Sequence, residues 1–391
     1  MLRALFLVVG MMVALASAMA VSATPESTLE ALFRDESVAE DRFAESFLAQ
    51  VPAAQVAQIV AALKRDLGML ERVEARGADF TLHFTRGAVR TRLSLDGQGR
   101  IAGLWFGEAT PAGSIESLAA AIRALPGRTS LLVLSDGKVV ESHEAERPLA
   151  VGSAMKLAVL DALRRAVADG RLSWSQVVEL DPAWRSLPSG QLQAWPAGTP
   201  LTIASVAHLM ISISDNTATD ALIRLVGREQ VEAVSPRNAP FLTTREALVL
   251  KAAKGAALRR QWAEGDAPAR RALLATLAEA PLPAAGELAA TPTPEIEWFL
   301  SAEELCALLD ATADLPSVGI NPGLADAADW QAVAYKGGSE PGVLNLSTRL
   351  VGRDGRVHCV VATWNDDLPL DEQRLFGPYR GLLARLAAGT P

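Results

Sequence analysis

Apolar residues recur at helical spacing near the start of the chain and then give way to short apolar runs of strand length. Residues 27–67 have the helical spacing, and two serine-to-glutamate capping patterns precede its apolar runs. Strand-like pieces follow at 80–85, 89–95 and 101–106, and glycine-containing turns separate them. This order predicts a small α+β domain over residues 24–110.

A second pattern begins beyond the Thr-Pro-Ala-Gly segment at 110–113, which is typical of a linker. Predicted strands lie near both ends of this region, and a largely helical stretch to about residue 309 lies between them. The strands are predicted at 130–134, 139–142, 332–336, 343–351 and 357–364, and flanking helices at 114–125 and 371–388. This arrangement predicts one antiparallel sheet with helices packed on it, so that residues 114–391 form a second α+β domain.

Composition and the N-terminal residues limit the partners and the location of the protein. The chain has 391 residues and a formal net charge of −8, which argues against nucleic acid or an anionic membrane surface as a partner. Arg3 precedes an apolar run over 4–16, followed by small residues that offer two A-x-A-like cleavage sites. We therefore predict an export signal over 1–23, a periplasmic or secreted protein, and no stable membrane anchor. The alternative is a transmembrane anchor, but the run is short and no polybasic stop follows it.

The two cysteines, Cys306 and Cys359, leave two alternatives open. An exported protein can join them in a disulfide, and a buried free thiol is as compatible with the apolar strand around Cys359. Neither cysteine has a metal-ligand pattern around it, and the four histidines are scattered. We therefore expect neither a metal nor a cofactor.

A serine and a lysine three residues apart, Ser153 and Lys156, begin an apolar-periodic segment that runs to about residue 172. This spacing puts both side chains on one face of a helix. A serine hydroxyl needs an adjacent base to become a good nucleophile, and a desolvated lysine can act as that base. The helix N-terminus adds backbone N–H groups where an oxyanion would form. Taken alone, such a pair is more often an N-cap serine beside a solvated lysine.

A second motif, Ser214-Asp215-Asn216, falls on a predicted loop between apolar helical segments. Its hydroxyl can pass a proton to a leaving nitrogen, and its amide can bind a substrate carbonyl or the lysine. The alternative is a cluster of N-cap residues, since all three residue types cap helices.

A third motif, Lys336-Gly337-Gly338-Ser339, falls at the end of a predicted strand. The glycines let a substrate backbone or carboxylate approach the strand edge closely, and the lysine supplies positive charge for an anion. The alternative is a turn with a solvated lysine.

Together and in this order, the three motifs resemble those of the penicillin-recognising serine hydrolases, which are the class A β-lactamases and the penicillin-binding proteins. The resemblance covers roughly residues 114–390 and implies a β-lactamase/transpeptidase-like domain. The topology of the first domain resembles the NTF2-like or cystatin-like folds. The whole chain therefore looks most like the two-domain β-lactamase-like proteins of clavulanic acid clusters. Two segments also resemble that group, namely Leu187-Pro188-Ser189-Gly190 and the run 210–220.

The resemblance implies roles for the matching residues. Ser153 is the acylated nucleophile, Lys156 its base and Ser214 a proton shuttle. The substrate is bound by four further residues: Asn216 on a side-chain amide, Lys336 on a carboxylate, Gly338 at the strand edge, and Ser339 through an oxyanion N–H. The partner implied is a small β-lactam, ester or amide.

Two departures from the family pattern affect these expectations. Gly337 stands where the family has threonine, which weakens carboxylate recognition. No E-x-x-L-N motif follows Ser214-Asp215-Asn216, and its glutamate is the deacylating base of class A enzymes. Glu246 is the nearest candidate, but its Thr-x-x-Glu context favours a helix cap.

The sequence therefore predicts an exported serine hydrolase that forms an acyl-enzyme with β-lactams or related amides and esters and releases it slowly. Two alternatives remain open, namely a penicillin-binding peptidoglycan carboxypeptidase and a binder that does not turn its ligand over.

Overall fold

The computed structural model describes residues 24–288 and 291–389. They fall into two compact units that divide between Ala109 and Thr110. The predicted export signal, 1–23, lies outside the described residues. Within the described part of the chain, no helix combines the length and the apolarity needed to cross a membrane.

The first unit combines helices with a four-stranded sheet. Its elements are α1 (Pro25–Arg34), α2 (Glu45–Leu48), α3 (Ala53–Leu67), β1 (Leu70–Arg76), β2 (Asp79–Phe84), β3 (Gly87–Leu95) and β4 (Ile101–Pro111). The strands pair in the order β1-β2-β3-β4. Apolar side chains of α1, α3 and the sheet share one core, in which Phe33 packs edge-on against Phe84. The sequence pattern does not predict β1, because four of its seven residues are charged. The NTF2-like or cystatin-like resemblance of this unit stays a prediction.

The second unit is built on a five-stranded antiparallel sheet. The strands described in this unit, including those outside the large sheet, are β5 (Arg128–Ser135), β6 (Lys138–His143), β7 (Leu149–Ala150), β8 (Val177–Glu179), β9 (Pro200–Thr202), β10 (Phe299–Leu300), β11 (Ala332–Glu340), β12 (Val343–Val351) and β13 (Val357–Asn365). The large sheet has the order β11-β12-β13-β5-β6, so both ends of the unit contribute strands, as the sequence predicts. The four remaining strands form two short ribbons.

Helices cover both faces of this sheet because side chains alternate along its strands. The helices are α4 (Ile115–Arg123), α5 (Lys156–Ala168), α6 (Ile203–Ser212), α7 (Asn216–Val226), α8 (Arg228–Val234), α9 (Thr244–Lys251), α10 (Ala256–Glu264), α11 (Ala267–Glu279), α12 (Ala302–Ala311), α13 (Pro316–Gly319) and α14 (Gln373–Ala387). Leu131 and Val133 of β5 join the core of α4 and α14, whereas Leu132 joins the larger core of α5, α6, α7 and α12.

A disulfide joins Cys306 of α12 to Cys359 of β13. It settles the alternative that the sequence leaves open and fastens a helix of the larger core to a central strand.

Strand β11 is longer than the sequence pattern predicts. It continues past Lys336 to Glu340, because the glycine backbone keeps pairing with β12 at Gly337–Leu346 and Gly338–Asn345. The third motif therefore lies within an edge strand and not at the end of a strand. In the order of the described strands, β11 lies at the edge of the sheet, with β12 as its neighbour on one side.

Candidate active site

Ser153 lies in the 3-10 turn Gly152–Met155, and α5 begins directly after it at Lys156. Leu157 and Leu160 are fully buried and fix the start of this helix in the core. Ser153 lines a cavity of about 390 Å³. The Lys156 side chain is fully buried, with an exposed fraction of 0%. The structure thus puts the serine on the cavity wall and the lysine inside the protein.

The Lys156 amine is surrounded by the second motif. Its Nζ donates to the Ser214 carbonyl at 2.6 Å and to Asn216 Oδ1 at 2.7 Å, and it lies 3.0 Å from Ser214 Oγ. Burial lowers the pKa of Lys156 well below its usual range, and the positive charge of Lys336 lowers it further. A neutral amine is therefore accessible here, which a base requires.

The loop before this motif holds Ser214 in a strained conformation. Its φ of +57° lies in the left-handed region, which costs a non-glycine residue on the order of 1–3 kcal/mol. Ser189 Oγ donates to the Ser214 carbonyl at 2.7 Å, and the Asn216 N–H donates to the Ser189 carbonyl at 3.1 Å. The buried Asp215 carboxylate caps α7 and also accepts from the Gln191 N–H at 2.7 Å. These bonds fix the hydroxyl of Ser214 beside Lys156.

Asn216 is committed to protein contacts at both ends of its amide. Its Oδ1 accepts from Lys156, and its Nδ2 donates to the Leu187 carbonyl at 3.1 Å. The structure thus realises the lysine contact, one of the two roles that the sequence allows. A contact with a substrate amide remains a prediction, for which the second Nδ2 hydrogen is the remaining donor.

Strand β11 packs directly against the serine turn, and Gly338 makes this possible. A Cβ at Gly338 would lie 2.1 Å from the Val151 carbonyl oxygen and 2.5 Å from the Ser153 nitrogen. Only glycine fits so close an approach. A Cβ at Gly152 would lie 3.6 Å from the Ser339 nitrogen, so the backbone amides of Ser153 and Ser339 lie on two segments that pack against each other.

Lys336 carries less charge than the sequence suggests. Its side chain is buried, with an exposed fraction of 4%, and its Nζ donates to the Gly337 carbonyl. Burial lowers the pKa of Lys336 to about 7. At neutral pH only part of the population therefore offers a positive charge to an anion.

The cavity also has walls that sequence reasoning missed. Tyr335, Ser189, Asn321, Phe376 and Glu372 line it together with Ser153, Ser214, Lys336, Gly338 and Ser339. The Ser339 hydroxyl donates to the Glu372 carboxylate. Tyr335 adjoins the third motif in sequence, which is a signal that could have found it. Glu372 comes from the segment before α14, and no motif marks it.

Glu246 is a capping residue, as the sequence predicts. Its carboxylate accepts from the Thr243 N–H at 2.7 Å, and the Thr243 hydroxyl accepts from the Glu246 N–H at 3.2 Å. Arg228 pairs with the same carboxylate at 2.8 Å, and the exposed fraction of Glu246 is 3%. Glu246 is not among the residues that line the cavity.

Comparisons with known proteins support the fold of the second unit. A family model described as the β-lactamase enzyme family matches residues 114–265. Among solved structures, a β-lactamase from Sphaerobacter thermophilus DSM 20745 is 21% identical, with a TM-score of 0.50 over 71% of this chain and 98% of that chain. The second unit has the β-lactamase/transpeptidase-like fold.

Two other solved structures are similar at lower scores. A class A β-lactamase from Bacteroides cellulosilyticus DSM 14838 is 14% identical, with a TM-score of 0.48 over 70% of this chain and 97% of that chain. PBP-A is 16% identical, with a TM-score of 0.45 over 70% of this chain and 96% of that chain. No protein in the curated comparison matches the chain. The likeness to the Sphaerobacter thermophilus structure supports the fold, and the chemistry follows from the residues of the site.

Proposed function

We propose that this protein is an exported serine hydrolase that forms an acyl-enzyme on Ser153 with β-lactams or related esters and amides. One observation carries the proposal. The fully buried amine of Lys156 follows Ser153 by one helical turn and is enclosed by Ser214 and Asn216. A solvated lysine beside a helix cap, the alternative that the sequence allows, does not have this environment.

The contacts of Lys156 indicate a route for the proton of Ser153. A neutral amine has two hydrogens and one lone pair. The Ser214 carbonyl and Asn216 Oδ1 can only accept, so they take the two hydrogens. The lone pair is then left for the Ser214 hydroxyl, which can donate to it. As Ser153 Oγ attacks the carbonyl carbon, its proton passes to Ser214 Oγ, and the Ser214 proton passes to Lys156 Nζ.

Charge on the carbonyl oxygen is stabilised by the two adjoining backbone amides. The N–H groups of Ser153 and Ser339 serve as the oxyanion donors in this proposal. The close packing of Gly338 on the serine turn supports this role, because it holds strand β11 and the turn at a fixed separation. When the tetrahedral intermediate collapses, Ser214 returns the proton from Lys156 to the leaving nitrogen or oxygen.

We also propose that the acyl-enzyme is long-lived. Glu246 is engaged by its own helix cap and by Arg228, so it has no access to a water molecule in the cavity. Among the described residues that line the cavity, Glu372 is the one carboxylate, and it accepts from Ser339. Hydrolysis of the acyl group therefore depends on water activated by Lys156 or Ser214.

Labelling by substrate tests the nucleophile. Intact protein is exposed to a penicillin, a cephalosporin and an activated ester, and its mass is then measured. Wild type should gain the mass of at least one acyl group, and Ser153→Ala should gain none. Equal labelling of the two proteins, or no labelling of wild type by any compound, would show that the nucleophile assignment is wrong.

The capping role of Glu246 also favours a second candidate, which is either a penicillin-binding peptidoglycan carboxypeptidase or a binder that does not turn over. A carboxypeptidase would release the terminal residue of a D-Ala-D-Ala peptide. If the protein cleaves that peptide repeatedly and leaves simple esters untouched, it is the carboxypeptidase; if it binds β-lactams or the peptide and releases no product, it is the binder.

A further inference from the structure

The cavity is poorly equipped to hold an anion beside the third motif. Among the described residues that line it, two carry ionisable charge, Lys336 and Glu372. Lys336 is buried, and its Nζ is directed to the Gly337 carbonyl. Glu372 is half-buried at the cavity wall and accepts from the hydroxyl of Ser339. An anionic group placed there would meet a carboxylate directly.

The space beside Gly337, where a side chain at this position would lie, is filled by Tyr335. A Cβ at Gly337 would lie 2.3 Å from the hydroxyl oxygen of Tyr335, so the phenol occupies the place of any side chain at this position. Burial, and then the charge of Glu372, raises the pKa of Tyr335 to about 12. No hydrogen bond of this hydroxyl is present among the described residues, and Tyr335 lines the cavity, so the phenol can act there as a neutral donor or acceptor. The Glu372 carboxylate supplies the negative charge at this end of the cavity.

We propose that the part of the cavity beside Gly337 and Ser339, bounded by Tyr335 and Glu372, binds a cationic group of the substrate. This inference rests on the function proposed above, and it names the substrate class as esters or amides that carry a positive charge near the reacting carbonyl. The hydrogen bond from the Ser339 hydroxyl to Glu372 places the carboxylate near the reacting carbonyl, because the backbone N–H of the same serine is the proposed oxyanion donor. Opposite charges at such a site favour the matched substrate and disfavour an anionic one.

Matched esters test this subsite. One series carries the charge on the leaving group: 3-trimethylammoniophenyl acetate, neutral 3-tert-butylphenyl acetate and 3-carboxyphenyl acetate. A second series carries it on the acyl group: the 4-nitrophenyl esters of 4-(trimethylammonio)butanoic acid, 5,5-dimethylhexanoic acid and glutaric acid. For each ester, kcat/KM for phenol release is divided by that of the neutral ester of its series. Comparing these ratios between protein variants cancels the intrinsic reactivity of each ester.

In at least one series, Glu372→Gln should lower the cationic ratio about tenfold and raise the anionic ratio about tenfold. Glutamine can still accept from Ser339, so the wall of the cavity is retained. Glu303→Gln, an exposed position on α12 outside the cavity, makes the same change in net charge and should leave both ratios as in wild type.

Two outcomes would overturn the inference. In the first, Glu372→Gln leaves the ratios of both series unchanged. In the second, Glu303→Gln shifts them as much as Glu372→Gln does. Failure of the proposed function is a separate result, because Ser153→Ala would then release phenol from the same esters as fast as wild type.

Discussion

Lys156 is the residue on which the proposed chemistry depends most. Its amine is fully buried and lies between acceptors that orient it, and burial lowers its pKa well below the usual range, as the proposed role of base requires. The structure brings Lys156, Ser214 and Asn216 into contact and places Ser153 and Ser214, which are 61 residues apart in sequence, on the wall of one cavity.

Replacing this lysine tests its role as base. Lys156→Ala should slow acylation of Ser153 about 10²–10⁴-fold and change initial binding far less, because the amine does not line the cavity. Stopped-flow measurement with a chromogenic cephalosporin separates the two steps. If mutant and wild type acylate at equal rates, the base is another group, with Ser214 the first candidate.

Lys336 should make the binding of anions depend on pH. Because burial lowers its pKa to about 7, Lys336 is protonated below pH 7 and largely neutral above it. Acylation efficiency for an anionic penicillin, divided by that for a neutral ester, should therefore rise as the pH falls from 8.5 to 5.5 (roughly 1.5 units on either side of that pKa). The titration of Lys156 affects both substrates and cancels. A ratio that is flat in wild type, or that keeps its rise in Lys336→Met, would contradict this account.

At the scale of elements, the site depends on the approach of β11 to the serine turn. Gly338→Ala should reduce acylation at least tenfold and lower the melting temperature, because the obstacle to its Cβ is the backbone at Val151 and Ser153. Gly286→Ala is the matched control, since no atom of the described residues is found within 4 Å of the new Cβ. Activity and stability close to wild type in Gly338→Ala would show that β11 and the serine turn can move apart without lowering either.

The elements also show what sequence could and could not predict. Periodicity predicted the helices around Ser153 and Ser214 and most strands of the large sheet, because apolar residues recur there at helical spacing or fill runs of strand length. Strand β1 was missed because its charged residues hide the alternation. The contacts of Tyr335 with Gly337, and of Glu372 with Ser339, follow from how β11 packs and from where the chain reaches α14. No local pattern specifies them.

At the scale of the whole molecule, the described lining of the cavity lies entirely in the second unit. The disulfide between Cys306 and Cys359 closes a loop with a sequence separation of 53 within this unit. By the chain-entropy model, opening such a loop lowers the free energy of unfolding by about 4 kcal/mol.

The corresponding experiment is denaturation of wild type and of a double variant, Cys306→Ala with Cys359→Ala, with and without a reductant. The double variant should be less stable than oxidised wild type and insensitive to the reductant. Equal stability of oxidised wild type and the double variant would show that the bond contributes little.

The proposed function requires an acyl-enzyme on Ser153 that persists because Glu246, as a helix cap, does not activate water. The most direct measurement is time-resolved mass spectrometry of wild type and Glu246→Gln after a brief exposure to a penicillin, with peptide mapping of the adduct. We predict an adduct on Ser153 with a similar, long lifetime in both proteins, because Glu246 serves as a helix cap paired with Arg228. An adduct that is short-lived in wild type and long-lived in Glu246→Gln would contradict the account and identify an ordinary glutamate-dependent β-lactamase.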